Sequence, residues 1–250
     1  IMINFETGRL IAKIKGGKHN SKLIYVDCEN EDDDGLKEVS ISDGKFVPLP
    51  DVDKREVVYV AGPSGSGKST YASDYIRSYL AVFPGKDFFI FSRTAAKDDP
   101  AYKGLKYHQV MIDESLLDDP IDITQELTNG CIILFDDVNT IQNTAIKKAV
   151  DNLMADIMEC GRKLEIYCVI TNHLVIPNEK KMARTVLNEC TSLTVFPKSG
   201  SSHQIKYALK TYFGYTPKQI DDFLKTKSRW ITFYKTYPQI ILSQYEIQIP

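Results

Sequence analysis

VVYVAGPSGSGKSTYAS, residues 57–73, decides how this chain folds. Val57, Val58, Tyr59, Val60 and Ala61 form a β-branched, aromatic and apolar run suited to a buried strand. Gly62-Pro63-Ser64-Gly65-Ser66-Gly67-Lys68-Ser69 then fits G-x-x-x-x-G-K-[ST], with an additional glycine at Gly65. Glycines let successive backbone N–H groups curl round an anion with no Cβ in the way. Lys68 supplies charge for the β- and γ-phosphates of a nucleoside triphosphate, and the Ser69 hydroxyl is placed to ligate Mg2+. From Thr70 the pattern continues as a helix whose positive N-terminal end faces the phosphates. A Gly/Ser linker would not require strand, loop, Lys-Ser and helix in this order. The residues expected to hold the nucleotide are therefore Gly62 through Thr70, with ATP and Mg2+ as the ligands.

The remaining composition narrows the class. At 250 residues and 43% hydrophobic, the chain can bury one α/β core with an appendage. A net charge of −2 announces no whole-molecule attraction to nucleic acid, so any basic surface must be local. Five cysteines, Cys28, Cys131, Cys160, Cys168 and Cys190, make no C-x-x-C pair, and several lie in apolar runs. Reduced buried thiols and a reducing, intracellular setting are expected. No apolar run reaches the length of a membrane span, and no signal-peptide pattern opens the chain.

Residues 1–54 read as a small β-rich segment: strands at Lys22–Cys28 and Leu36–Ile41, an acidic loop over Glu29–Gly35, and a hairpin-type turn at Asp43-Gly44. From residue 55 to 200, strands alternate with helices, the sign of a parallel sheet with right-handed crossovers. Asp87–Ser92 and Tyr107–Ile112 are expected strands, and Asp122–Thr128 a short helix. Thr140–Glu159 is an amphipathic helix ended by Gly161, with Ile146, Val150, Leu153, Met154, Ile157 and Met158 on its core face. Asn178–Asn188 is a further helix and Leu193–Phe196 a last core strand. Residues 201–250 form a basic, aromatic extension, with a capped helix start at Thr216-Pro217-Lys218-Gln219 and a closing hairpin over Trp230–Tyr237 and Gln239–Ile249.

Cys131-Ile132-Ile133-Leu134-Phe135-Asp136-Asp137 is an apolar strand ending in two carboxylates. Placed after a phosphate loop, this delivers Asp136 to the Mg2+ bound at Ser69, while Asp137 orients or deprotonates the attacking water. The alternative is an ordinary strand whose aspartates cap the next helix. Ile166–Ile170 ends in Thr171-Asn172-His173, polar groups at the sheet edge where ligands of open α/β sheets bind. Asn172 is placed to bond the γ-phosphate or the water, and His173 reads as a loop or capping residue. No zinc-like set of His, Cys and carboxylates is present.

The motif order over residues 57–196 resembles the FtsK–HerA superfamily of P-loop ATPases, and within it the poxvirus-type DNA-packaging ATPases. The residues carrying the resemblance are Gly62–Thr70, Phe91-Ser92-Arg93 with Asp99-Pro100-Ala101-Tyr102, Phe135-Asp136-Asp137, Gly161-Arg162 and Thr171-Asn172. Asn172 stands where glutamine is usual, which shortens its reach. The resemblance implies a RecA/FtsK-like, mainly parallel sheet flanked by helices behind the small β-rich preface. It also implies a homo-oligomeric ring, pentamer or hexamer, that hydrolyses ATP between subunits and pulls double-stranded DNA through its pore, with a capsid or nuclease as further partner. Such a motor would work in the cytoplasm of an infected host cell or at a virion assembly site. Arg162, and after it Arg184, is the candidate for an arginine acting in trans.

Between residues 176 and 240 eleven Lys/Arg face four acids, whereas residues 1–60 carry nine basic and twelve acidic side chains. Tyr207, Tyr212, Tyr215, Trp230 and Tyr234 are interleaved with the basic residues. Such a segment is either a DNA-backbone contact or a solvated basic face over core aromatics. Three rivals to the translocase remain. A guanylate-like kinase needs an arginine-rich monophosphate clamp, and only Arg93 is available after the second strand. An AAA+-like remodelling or replication-initiator ATPase needs a helical lid after the core. A non-hydrolysing nucleotide binder would not need Lys68, Ser69, Asp136 and Asp137 together.

Overall fold

The computed structural model describes residues 1–29 and 35–250. The first strands are β1 (Met2–Asn4), β2 (Arg9–Lys15), β3 (Leu23–Asp27), β4 (Glu38–Ser40) and β5 (Lys45–Pro48). There follow β6 (Val57–Ala61), α1 (Lys68–Val82), β7 (Phe88–Ser92), β8 (His108–Met111), α2 (Ser115–Asp118), β9 (Ile132–Phe135) and α3 (Thr144–Cys160). Next come β10 (Tyr167–Asn172), α4 (Lys180–Glu189), β11 (Ser192–Val195), α5 (Ser202–Phe213) and α6 (Pro217–Phe223). β12 (Ile231–Tyr234), β13 (Ile240–Ser243) and β14 (Glu246–Gln248) close the chain.

Among the described residues, ten strands make the main sheet in the order β4-β14-β13-β12-β11-β6-β10-β9-β7-β8. β11, β6, β10, β9, β7 and β8 run parallel, and β12, β13, β14 and β4 extend the β11 side antiparallel. This is the expected mainly parallel sheet flanked by helices. A second, antiparallel sheet of β1-β3-β2-β5 forms the expected β-rich preface.

β6 is buried on both faces, which is why its sequence is continuously apolar rather than alternating. Val57, Tyr59 and Ala61 enter a core with α3, α4 and α5, through residues such as Ile146, Val186 and Ile205. Val58 and Val60 enter the opposite core, shared with Tyr71, Tyr75 and Tyr79 of α1 and Ile11, Ile14 and Ile24 of the small sheet. The parallel register brings Ala61, Asn172 and Val195 to one level, so the C-terminal ends of β6, β10 and β11 share an edge.

Several expected elements differ. Asp122–Thr128 is not a helix: the Asp122 carboxylate accepts from both the N–H and the hydroxyl of Thr124, at 2.8 and 2.6 Å. Such local bonds offer the backbone an alternative to the helix, and the helix of this region is α2 instead. α3 begins at Thr144 because Asn143 caps it, accepting from Ala145 and Ile146 N–H. Its end is as expected: Gly161 is the C-cap of α3, and a 3-10 turn over Gly161–Leu164 follows, closed by Glu165 at φ 53°. The Asp43-Gly44 turn does not join a hairpin. Ile41 N–H bonds to Tyr245 O and Phe46 N–H to Gln244 O, which places β4 and β5 in different sheets. Residues 30–34 of the expected acidic loop lie outside the described residues.

Candidate active site

Gly62 N–H leaves the end of β6 by bonding to Asn172 O at 3.0 Å, and Ser66 N–H closes a tight turn on Pro63 O at 3.2 Å. Gly65 and Gly67 take φ of +75° and +110°, conformations that side-chain-bearing residues rarely adopt. A Cβ at Gly62 would stand 2.7 Å from Phe196 and 2.8 Å from Ser66 Oγ, so only glycine lets the loop fold back on the strand. α1 then starts at Lys68 with no side-chain cap and no acid in its first turn. Its N-terminal N–H groups are left for an anion. Ser64, Gly65 and Thr70 are exposed, Pro63, Gly67 and Ser69 half-buried, and Lys68 buried.

The carboxylates arrive from the next strand but one. β10 separates β6 from β9, and the Thr171 hydroxyl at its end ties the two aspartates together. It accepts from Asp137 N–H at 2.9 Å and donates to Asp136 Oδ1 at 2.8 Å. Burial lifts the Asp136 carboxyl above its ordinary value; the Thr171 bond opposes that and the charge of Asp137 adds to it. Asp137 sits at φ 47°, an uncommon conformation that aspartate tolerates better than most residues. From there its Oδ1 stands 3.6 Å from Lys68 Nζ and its Oδ2 3.2 Å from His173 Nε2. The sequence offered His173 as a loop or capping residue; the contact to Asp137 comes from β10 and β9 being neighbours, which no local signal records.

Among the described residues four buried hydroxyls have no hydrogen-bond partner, and two of them, Ser66 Oγ and Tyr102 Oη, lie at this site. Orphans of this kind call for a polar occupant. The first lies against Gly62 inside the loop. The second lies beside Asp136 and Ser69, and burial together with the charge of Asp136 pushes its phenol far above the ordinary value. A serine hydroxyl and a carboxylate are hard oxygen donors that leave room for phosphate oxygens, which suits Mg2+. The residues present therefore fit both a triphosphate and this ion.

Asn172 is buried, and its Oδ1 accepts from Leu174 N–H at 3.0 Å, which leaves its amide N–H2 as the donating group. Arg162 is exposed in the turn that precedes β10, at the opposite end of that strand from Asn172. It is therefore remote from the phosphate loop of its own chain, and Arg184 is exposed on α4. Of the five aromatics in the basic stretch, Tyr215, Trp230 and Tyr234 are buried and Tyr207 is exposed. Several of its cations are engaged internally: Lys235 bonds to Leu187 O, Lys198 to Lys227 O at 2.7 Å, and Arg229 to the phosphate loop. Much of this segment is thus a basic face over core aromatics.

No protein-family model matches the chain. It is 44% identical over 230 residues to "Uncharacterized protein V3" of Sputnik virophage, which covers 92% of this chain and 91% of that one. Among solved structures, the DNA-packaging ATPase B204 of Sulfolobus turreted icosahedral virus superposes with a TM-score of 0.54. The identity is 13%, over 78% of this chain and 97% of that one. The cytoplasmic domain of the Thermomonospora curvata type VII secretion ATPase EccC gives a TM-score of 0.52 at 12% identity, over 83% of this chain and 28% of that one. At such identities the two structures establish a common fold, that of P-loop ATPases. No described helix is long and apolar enough to cross a membrane.

Proposed function

The chain belongs to the family of Sputnik virophage protein V3 and has the P-loop ATPase fold, and from that premise we propose that it hydrolyses ATP to drive double-stranded DNA through a ring of its own copies, packaging a viral genome. The observation that carries the reading is the meeting of Lys68, Ser69, Asp136, Asp137 and Thr171 at the C-terminal edge of three adjacent parallel strands. The packaging role is supported by the likeness to B204, a viral DNA-packaging ATPase, and by the virophage source of protein V3.

In this reading the loop N–H groups and Lys68 hold the phosphates, and the N-terminal end of α1 adds its positive dipole. Ser69 and Asp136 would hold Mg2+, which neutralises charge on the β- and γ-oxygens when bound. Lys68 leaves Asp137 for the phosphates, freeing a carboxylate that takes the proton of the attacking water. His173 keeps that carboxylate oriented, and the Asn172 amide donates to the water or the γ-phosphate. Arg162 serves the site of a neighbouring subunit, where its charge meets the transferring phosphoryl group; Arg184 is the second candidate. The remodelling alternative is disfavoured by the tail: α5 and α6 pack on the core and β12, β13 and β14 extend the sheet, with no separate helical lid among the described residues.

The test is ATP hydrolysis with and without linear double-stranded DNA at low and moderate salt. Stimulation that fades with salt, and its loss in Lys68→Ala and Asp137→Asn, supports the translocase. Hydrolysis indifferent to DNA, or phosphate transferred to an added nucleoside monophosphate, overturns it.

A further inference from the structure

Arg229 lies in the turn before β12, 164 residues from Gly65 in sequence, yet its guanidinium grips the phosphate loop. Nε donates to Ser66 O at 2.7 Å and Nη2 donates to Gly65 O at 3.0 Å. Across a trans peptide the C=O of one residue and the N–H of the next point in opposite directions. Holding the Gly65 and Ser66 carbonyls on the outside therefore turns Ser66 N–H and Gly67 N–H inward. Ser66 N–H closes the turn on Pro63 O, and Gly67 N–H is presented to the loop's interior, where the ATP-binding reading puts a phosphate.

The arginine is itself held. Its N–H donates to Gln244 Oε1 at 2.8 Å, Gln244 N–H donates to Ser228 Oγ at 3.0 Å, and Ser228 Oγ donates to Trp230 O at 2.6 Å. Trp230 packs edge-on against Tyr71 of α1, with ring centroids 4.9 Å apart. Gly67 leaves the room the guanidinium needs: a Cβ there would stand 3.2 Å from Nε. Two carbonyl bonds, a secured backbone and a fitted approach distinguish Arg229 from the solvated basic residues around it.

We propose that Arg229 is a positioning residue for the phosphate loop. Its guanidinium fixes two loop carbonyls so that the loop N–H groups meet the ATP phosphates, and its charge adds to that of Lys68. The role rests on the ATP-binding reading above. Arg229 reaches backbone on the outer side of the loop rather than the reacting atoms, so it serves ground state and transition state alike. Uniform binding of that kind appears in KM and not in kcat.

The experiment measures kcat, KM for ATP and the affinity of a fluorescent ATP analogue for the full chain and for Arg229→Ala, Arg229→Lys, Gln244→Ala and Lys68→Ala. Arg229→Ala raises KM and the dissociation constant about tenfold, with kcat within about twofold. Arg229→Lys recovers part of the loss, because an ammonium lacks the planar fork that reaches both carbonyls. Gln244→Ala gives a smaller rise in the same direction. Loss of analogue binding in Lys68→Ala beside wild-type values in the Arg229 variants overturns the positioning role alone. Wild-type binding in Lys68→Ala overturns the ATP-binding reading itself. Should Arg229→Ala not fold, the KM of Arg229→Lys and Gln244→Ala decides, and unchanged values in both overturn the role.

Discussion

Lys68 Nζ stands 3.6 Å from Asp137 Oδ1, so the cation of the phosphate loop and the candidate base neutralise each other across the site. Lys68 is buried and Asp137 only half so, and the pair spares the lysine an unmatched charge in a low-dielectric setting. A triphosphate offers Lys68 more negative charge than one carboxylate does. On the proposed function, nucleotide binding would therefore draw Lys68 away from Asp137 and open the pair like a latch.

The two partners predict different losses. Asp137→Asn keeps the left-handed backbone, which asparagine tolerates, and removes the competitor for Lys68. ATP-analogue binding in this variant is expected to equal or exceed wild type, while kcat falls about 100- to 10,000-fold. Lys68→Ala is expected to lose binding as well as turnover. Equal loss of binding in both variants contradicts the latch.

His173 meets the other oxygen of Asp137 at 3.2 Å and can reorient that carboxylate once Lys68 has left. His173→Ala is expected to lower kcat about tenfold with analogue affinity unchanged. A change confined to affinity would assign His173 to the nucleotide rather than to Asp137.

Thr171 has one hydroxyl serving two aspartates. Thr171→Val preserves shape but leaves the Asp137 N–H without its acceptor, at a cost of about 1–3 kcal/mol in folding stability. It also frees Asp136 to turn away from Ser69, so the Mg2+ concentration for half-maximal hydrolysis is expected to rise. Titrating Mg2+ at saturating ATP checks this, and an unchanged midpoint removes Thr171 from the metal's surroundings.

What the sequence disclosed follows from the range of each interaction. The Val57–Val82 unit was legible because its strand, glycine turn and helix start are all local and consecutive. The strand that leads into Asp136 was legible because burial on both faces leaves a continuous apolar run. Asp122–Thr128 misled because one carboxylate bonding two residues ahead overrode the propensity of the segment. The separation of β4 from β5 was hidden because the Gln244–Tyr245 turn that recruits both strands lies some two hundred residues downstream. Arg229 against Gly65 and His173 against Asp137 were hidden for the same reason: the fold makes these contacts, and a composition scan counts both residues as ordinary surface.

Glu56, immediately before β6, supplies a stability test independent of nucleotide. Its carboxyl is buried, accepting from Tyr75 Oη at 2.5 Å and from Asp51 N–H at 3.1 Å. Burial lifts it from 4.5 to about 7, with Asp51 adding to the shift and the bonds from Tyr75 and Asp51 and the charge of Arg9 opposing it. The folded chain therefore keeps a proton that the unfolded chain releases above pH 4.5. That contribution is full below pH 4.5 and is lost as the pH rises to about 7, amounting to about 3 kcal/mol. Glu56→Gln retains a carbonyl oxygen for both donors and cannot ionise, so its urea midpoint is expected to stay level between pH 5 and 8 where that of the wild type declines. Parallel declines in the two proteins would show that other groups, and not Glu56, set the alkaline side of the stability profile.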